Sequence, residues 1–178
     1  MDGTLIGQYL GEYSDLVKTF LPDITLGVKD IDKFSDLYHL TSHELSHASH
    51  FSQAGKAYWN KYIEYVLKSY VSSSGRIYGI GTETNAGYCE VGEMWAYYMG
   101  YACSRDRYGD AATLTGTSYW FSPQIFLYLD ERGLDRSRIF KSLTASVTNK
   151  DELQTYLESL YPEFDSIIEQ AFDRYRSH

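Results

Sequence analysis

The chain is short of cysteine, of proline, of positive charge and of long apolar runs, and each shortage excludes something. Only Cys89 and Cys103 occur in 178 residues. Both fall in one expected helix, separated by roughly 21 Å at 1.5 Å per residue, so they cannot bridge each other. A disulfide framework is thereby excluded. Lysine and arginine total 16 against 24 acidic residues, a net charge of −8. An acidic domain grips phosphate backbones poorly, so nucleic acid is set aside as a partner. No apolar run approaches the ~20 residues that a membrane span needs. No basic-then-apolar start marks a signal peptide. The abrupt opening at Met1-Asp2-Gly3 reads as a piece of a longer precursor. The three prolines, Pro22, Pro123 and Pro162, all stand at expected element boundaries.

What is present suits one folded domain over residues 1–178: 43% hydrophobic and 22% charged residues, with no repeat and no low-complexity segment. There are 18 tyrosines. Tyrosine combines a large contact area with a polar tip, so some can line a binding surface while others pack.

Apolar positions at Leu5, Tyr9, Leu10, Tyr13, Leu16 and Phe20 have helical spacing. Ile24 to Val28 is short, apolar and β-branched, and is the best strand candidate. A helix is expected from Leu37 to Ala54, with Gly55 at its end, and another from Ala57 to Tyr70. Ser72 to Gly75 reads as a loop, and Arg76 to Ala86 as irregular or weakly stranded. Tyr88 to Ala102 returns to helix. Shorter helices follow, from Ser118 or Pro123 to Arg132, Asp135 to Ala145, Lys150 to Leu160 and Pro162 to Arg176. The fold class is therefore α+β and predominantly helical, with a small sheet near the front.

The motif that carries chemistry is His43-Glu44-Leu45-Ser46-His47. Two histidines four apart on a helix stack on one face, where both imidazoles can reach one Zn²⁺. Glu44 is turned aside from that pair and can face the open position of the metal as a proton acceptor. A third ligand is required. Continuing the motif as H-E-x-x-H-x-x-G-x-x-H puts His50 where glycine should turn the chain and Gln53 where the histidine should be. That route fails. Downstream, Glu90 and Glu93 lie three apart on one helix face. One of them can ligate zinc, and the other can accept the free ring N–H of a ligand histidine. His39 and His50 extend the motif face. A single ion cannot be reached from four positions spanning three turns, so they read as outer or surface histidines. Trp95, Tyr97, Tyr98 and Tyr101 read as core, and the acidic carboxy-terminal helices as a solvated face.

With His43-Glu44-Leu45-Ser46-His47 followed by Glu93-Met94-Trp95-Ala96, the chain resembles the gluzincin group of zinc metallopeptidases. In layout it is closest to the anthrax lethal factor catalytic domain and the small gluzincins. The resemblance covers roughly residues 37 to 101. It implies a zincin-like catalytic domain in which His43, His47 and Glu93 hold Zn²⁺ and Glu44 is the general base. Ala96, at the small-residue position after Glu93, favours Glu93 over Glu90. A tyrosine that stabilises the oxyanion is also implied. Tyr78, in the glycine-rich loop ahead of the glutamate helix, is preferred to Tyr88. The implied reaction is hydrolysis of a peptide bond in a peptide or protein substrate, in an extracytoplasmic setting. One departure stands out: the family carries a substantial sheet ahead of the motif helix, whereas this chain has about 42 residues and one good strand there. That motivates an alternative, a zincin-like binding or scaffolding module that keeps a structural zinc site. A metal hydrolase acting on another bond is a third reading.

Overall fold

A computed structural model describes residues 31–72 and 78–175. The expected helix from Leu5 to Phe20 and strand from Ile24 to Val28 lie outside these residues, as does most of the loop from Ser72 to Gly75. Among the described residues there is no strand, and helices dominate. Residues 78–85, expected to be irregular or weakly stranded, are turns and bends.

Helix α1 runs Phe34–Ser72 and is broken at Gly55, where φ is 81° and ψ 173°. Side chains rarely tolerate that conformation, so a glycine there lets the chain leave one helix and enter the next with no connecting loop. The expected end at Gly55 is thus a kink between two limbs. Helix α2, Ala86–Tyr108, extends beyond its expected span at both ends and closes on Gly109, whose N–H bonds Arg105 O. Then come α3 (Gln124–Asp130), α4 (Arg136–Ser142), α5 (Lys150–Leu160), a 3₁₀ turn (Pro162–Phe164) and α6 (Asp165–Tyr175). Two caps are local and strong. Asp135 accepts from Arg138 N and Asn149 from Glu152 N, each satisfying an otherwise free amide at a helix start. None of these helices is long and apolar enough to cross a membrane.

Two interiors form, and α2 belongs to both. Its Val91, Met94, Trp95, Tyr98 and Ala102 join Phe121, Ile125, Leu129, Leu153, Leu157 and Phe172 in an apolar core under α3, α5 and α6. Its Ala86 and Cys89 join Tyr58, Trp59, Tyr62, Ile63 and Tyr65 from the second limb of α1 in an aromatic one. Both cysteines lie on α2 as free thiols.

The dominant pairing is α1 with α2. Gly92, Ala96 and Gly100 stand four apart, forming one ridge of small residues. A Cβ on Gly92 would sit 3.2 Å from the Tyr62 ring, and one on Gly100 3.2 Å from His39. The absent side chains let α1 approach closely. The hydroxyls of the motif helix fit the same purpose. Ser46 Oγ folds back onto Ser42 O, and Ser49 Oγ accepts from Trp95 Nε1 at 3.3 Å.

Candidate metal centre

The seam between α1 and α2 brings three of the expected residues together. His43 and His47 come from the first limb of α1, one turn apart, and Glu93 comes from α2. His43 Nε2 lies 3.1 Å from His47 Nε2. Glu93 Oε2 is 3.7 Å from His43 Nε2, and Glu93 Oε1 is 3.5 Å from His47 Nε2. These side chains are the group of histidine, cysteine and acidic residues whose donor atoms converge among the described residues.

Distances test whether zinc suits them. Donors at 2.0–2.1 Å from a tetrahedral ion are about 3.3 Å from one another. The 3.1 Å between the imidazole nitrogens and the 3.7 Å from His43 Nε2 to Glu93 Oε2 lie near that edge length, while the 3.5 Å to His47 Nε2 runs from the other carboxylate oxygen, Oε1. Glu93 is 1% exposed, and its Oε2 has no hydrogen-bond partner. A buried carboxylate oxygen without a partner is costly unless a cation accompanies it.

Electrostatics agree with a site that lacks only positive charge. Burial drives the His43 pKa from 6.5 down to about 3, with the neighbouring His39 adding to the fall. Burial, then His43 and His50, hold His47 well below its ordinary range. Both imidazoles are therefore neutral, the form that ligates metal. Burial raises the Glu93 pKa from 4.5 to about 8. Hydrogen bonds from Tyr62 and Tyr78 oppose that rise, while the nearby Glu44 charge adds to it. Glu44 is half-buried beside His43.

Several aromatics enclose the group, and spacing in the sequence did not reveal them. The Tyr62 hydroxyl, from the second limb of α1, donates to Glu93 Oε1 and so leaves Oε2 as the free donor atom. Tyr97, read from the sequence as core, sets its ring 4.6 Å from the His43 ring. Trp59 lies 5.4 Å from the His47 ring. The available signal was helical phase: Tyr97 is four residues after Glu93, and Tyr58, Tyr62 and Tyr65 share one side of the second limb.

The other expected residues sort clearly. The Tyr78 hydroxyl reaches Glu93 and Tyr97. Its carbonyl is pinned by Tyr65 Oη at 2.7 Å and Trp120 Nε1 at 2.6 Å. Tyr88 instead packs on Tyr58, at 4.9 Å between rings. Glu90 turns away to Lys150, taking its Nζ at 3.1 Å and its backbone N–H at 3.2 Å. A cleft of about 530 Å³ opens over this pair, lined by Glu83, Tyr88, Trp120 and Asn149, and the three convergent side chains do not line it. His39 bonds Thr115 Oγ1 at 3.1 Å. Gln53, rejected as a ligand, donates to the carbonyls of Phe140 and Leu143 and ties α1 to α4. His50 is fully buried and not a surface histidine.

No protein-family model, curated protein or solved structure matches the chain.

Proposed function

We propose that this chain is a zinc-dependent metallopeptidase of gluzincin type, with a zincin-like arrangement of motif helix and glutamate helix. The observation that carries the reading is the convergence of His43 Nε2, His47 Nε2 and the buried Glu93 carboxylate, whose donor atoms all lie within 4.8 Å of one another. His43, His47 and Glu93 would hold the ion. Zinc in such a site supplies Lewis acidity: it makes water acidic near neutral pH and polarises a carbonyl.

The chain's own residues do the rest. Glu44 takes the proton of the attacking water and delivers it to the nitrogen of the leaving amine. Neutral His43 and His47 leave the net charge of the centre positive, which favours an electron-rich carbonyl oxygen. Tyr78 is the donor to that oxygen as it becomes negative. Its pinned backbone fixes where the hydroxyl can go, and burial keeps the phenol protonated. Tyr62 holds Glu93 in one orientation.

Two measurements test this. Elemental analysis of purified or zinc-reloaded protein should give close to one zinc per chain, and a peptide library should be cleaved unless chelator is present. Glu44→Gln should then lower turnover by about 10²–10⁴ while keeping zinc. Absence of zinc under both conditions defeats the reading.

The short stretch ahead of the motif helix, about 42 residues with one strand candidate, motivates a second reading. Gluzincins bind substrate along a sheet edge, so a zincin-like binding or scaffolding module would keep the metal and cut nothing. Zinc at full occupancy, with no cleavage by the parent of any library peptide, selects it.

A further inference from the structure

His50 carries an obligation that the metal centre does not explain. It lies one turn beyond His47, is fully buried, and has a partner at neither Nδ1 nor Nε2. Its ring stands 4.8 Å from Tyr58 and 5.6 Å from Trp59, and a Cβ on Gly92 would come 3.8 Å from its Nδ1. The Tyr58 hydroxyl is already committed to Tyr88 O at 2.9 Å. Two more buried nitrogens beside it have no partner: His47 Nδ1 and Trp59 Nε1. The Trp59 ring touches both histidine rings, at 5.4 and 5.6 Å.

A donor inventory decides what these nitrogens can do. Indole Nε1–H only donates. His47, with its Nε2 committed to the metal position, carries its proton on Nδ1 and also donates. A neutral imidazole has one donor and one acceptor, so the only acceptor among these nitrogens belongs to His50. Leaving buried donors unanswered costs about 1–3 kcal/mol each. One enclosed water would satisfy them together, because buried waters make about three hydrogen bonds. Such a water would accept from His47 Nδ1–H and Trp59 Nε1–H and donate to the bare nitrogen of His50.

We propose that His50 is the positioning residue of the metal centre: through one enclosed water shared with Trp59, it fixes the tautomer and orientation of His47. The inference rests on the zinc reading above. Metal ligands are usually held this way by a carboxylate or a carbonyl; here a third histidine on the same helix takes that part.

The test is zinc affinity of the full chain, measured by competition with a chromophoric chelator, beside thermal unfolding. His50→Phe keeps a flat ring but no acceptor and should weaken zinc binding by about 10–100-fold. His50→Gln retains an acceptor carbonyl and should recover most of that loss. Nitrogen-15 spectra of the zinc-loaded parent supply a readout that does not depend on any variant folding. They should show His47 protonated at Nδ1 with slow solvent exchange, and His50 neutral. A folded His50→Phe that binds zinc like the parent overturns the inference, as does a His47 Nδ1 proton that exchanges freely. In both cases the zinc reading survives. A parent that binds no zinc removes both.

Discussion

Under α3, α5 and α6 the interior is Leu129, Leu134, Leu153, Leu157, Ile168 and Phe172, all at most 1% exposed and none of them polar. Across the seam between α1 and α2, beside the aromatic cluster, lie His43, His50 and Glu93, also buried but titratable, with several polar atoms unpartnered. The first region gains from every ångström of burial, at roughly 25 cal/mol per Å². The second pays desolvation on nearly every group. Helix α2 joins them: its apolar stripe anchors in the core while Glu93 is presented to the histidines. The difference teaches which region is for stability and which for chemistry.

Breaking the stable half should give the largest stability loss and leave the site intact. Leu129→Ala should cost about 2–5 kcal/mol in guanidinium unfolding, with unchanged zinc affinity in the folded fraction. Equal damage to zinc binding would show that the two regions are not separable.

Tyr62→Phe attacks the other half. It leaves Glu93 Oε1 without its donor, at about 1–3 kcal/mol in the metal-free protein. Zinc affinity should fall together with stability, the coupling that Leu129→Ala lacks. A calorimetric titration beside the unfolding curve would read both.

The pH response sharpens the comparison further. His43 and His50 fall from 6.5 to about 3, and His47 falls too. Their neutral burial favours the fold above pH 6.5, and that contribution is lost as pH drops toward 3. Glu93 rises from 4.5 to about 8, so its protonated form favours the fold at low pH, and that contribution is lost between pH 4.5 and 8. These three histidines, with His39 also lowered by burial, outweigh one carboxylate below 6.5, and Glu93 dominates from there to about pH 8. Metal-free stability should therefore peak near pH 6.5, with the steeper decline on the acid side. Saturating zinc should remove the alkaline decline, because it compensates an ionised Glu93. Denaturation midpoints from pH 5 to 8.5, with and without chelator, check this.

The smallest effect is local. Asn149→Ala removes the α5 cap and should cost about 1 kcal/mol without touching zinc.

What the sequence revealed follows the same division. The α5 bounds, the helix start at Asp135, the break at Gly55 and the facing of His43 and His47 all depend on neighbours within four residues, where spacing is informative. Glu93 was readable as an option because Glu90 shares its helix face. The resemblance favoured Glu93 through Ala96, but what Glu90 does instead was not legible: Lys150 engages it from 60 positions away. Tyr62 grips Glu93 across 31 residues. His50 is enclosed because Gly92 lets α2 come close. Such approaches are set by tertiary packing, which periodicity within one helix does not encode.

The most direct test of the centre is X-ray absorption at the zinc edge of the loaded protein, repeated on Glu93→Gln. The account predicts two imidazole nitrogens and a carboxylate oxygen at about 2.0–2.2 Å in the parent, and weakened or lost zinc in the variant. A shell without imidazole, or a variant that binds as tightly as the parent, would contradict it.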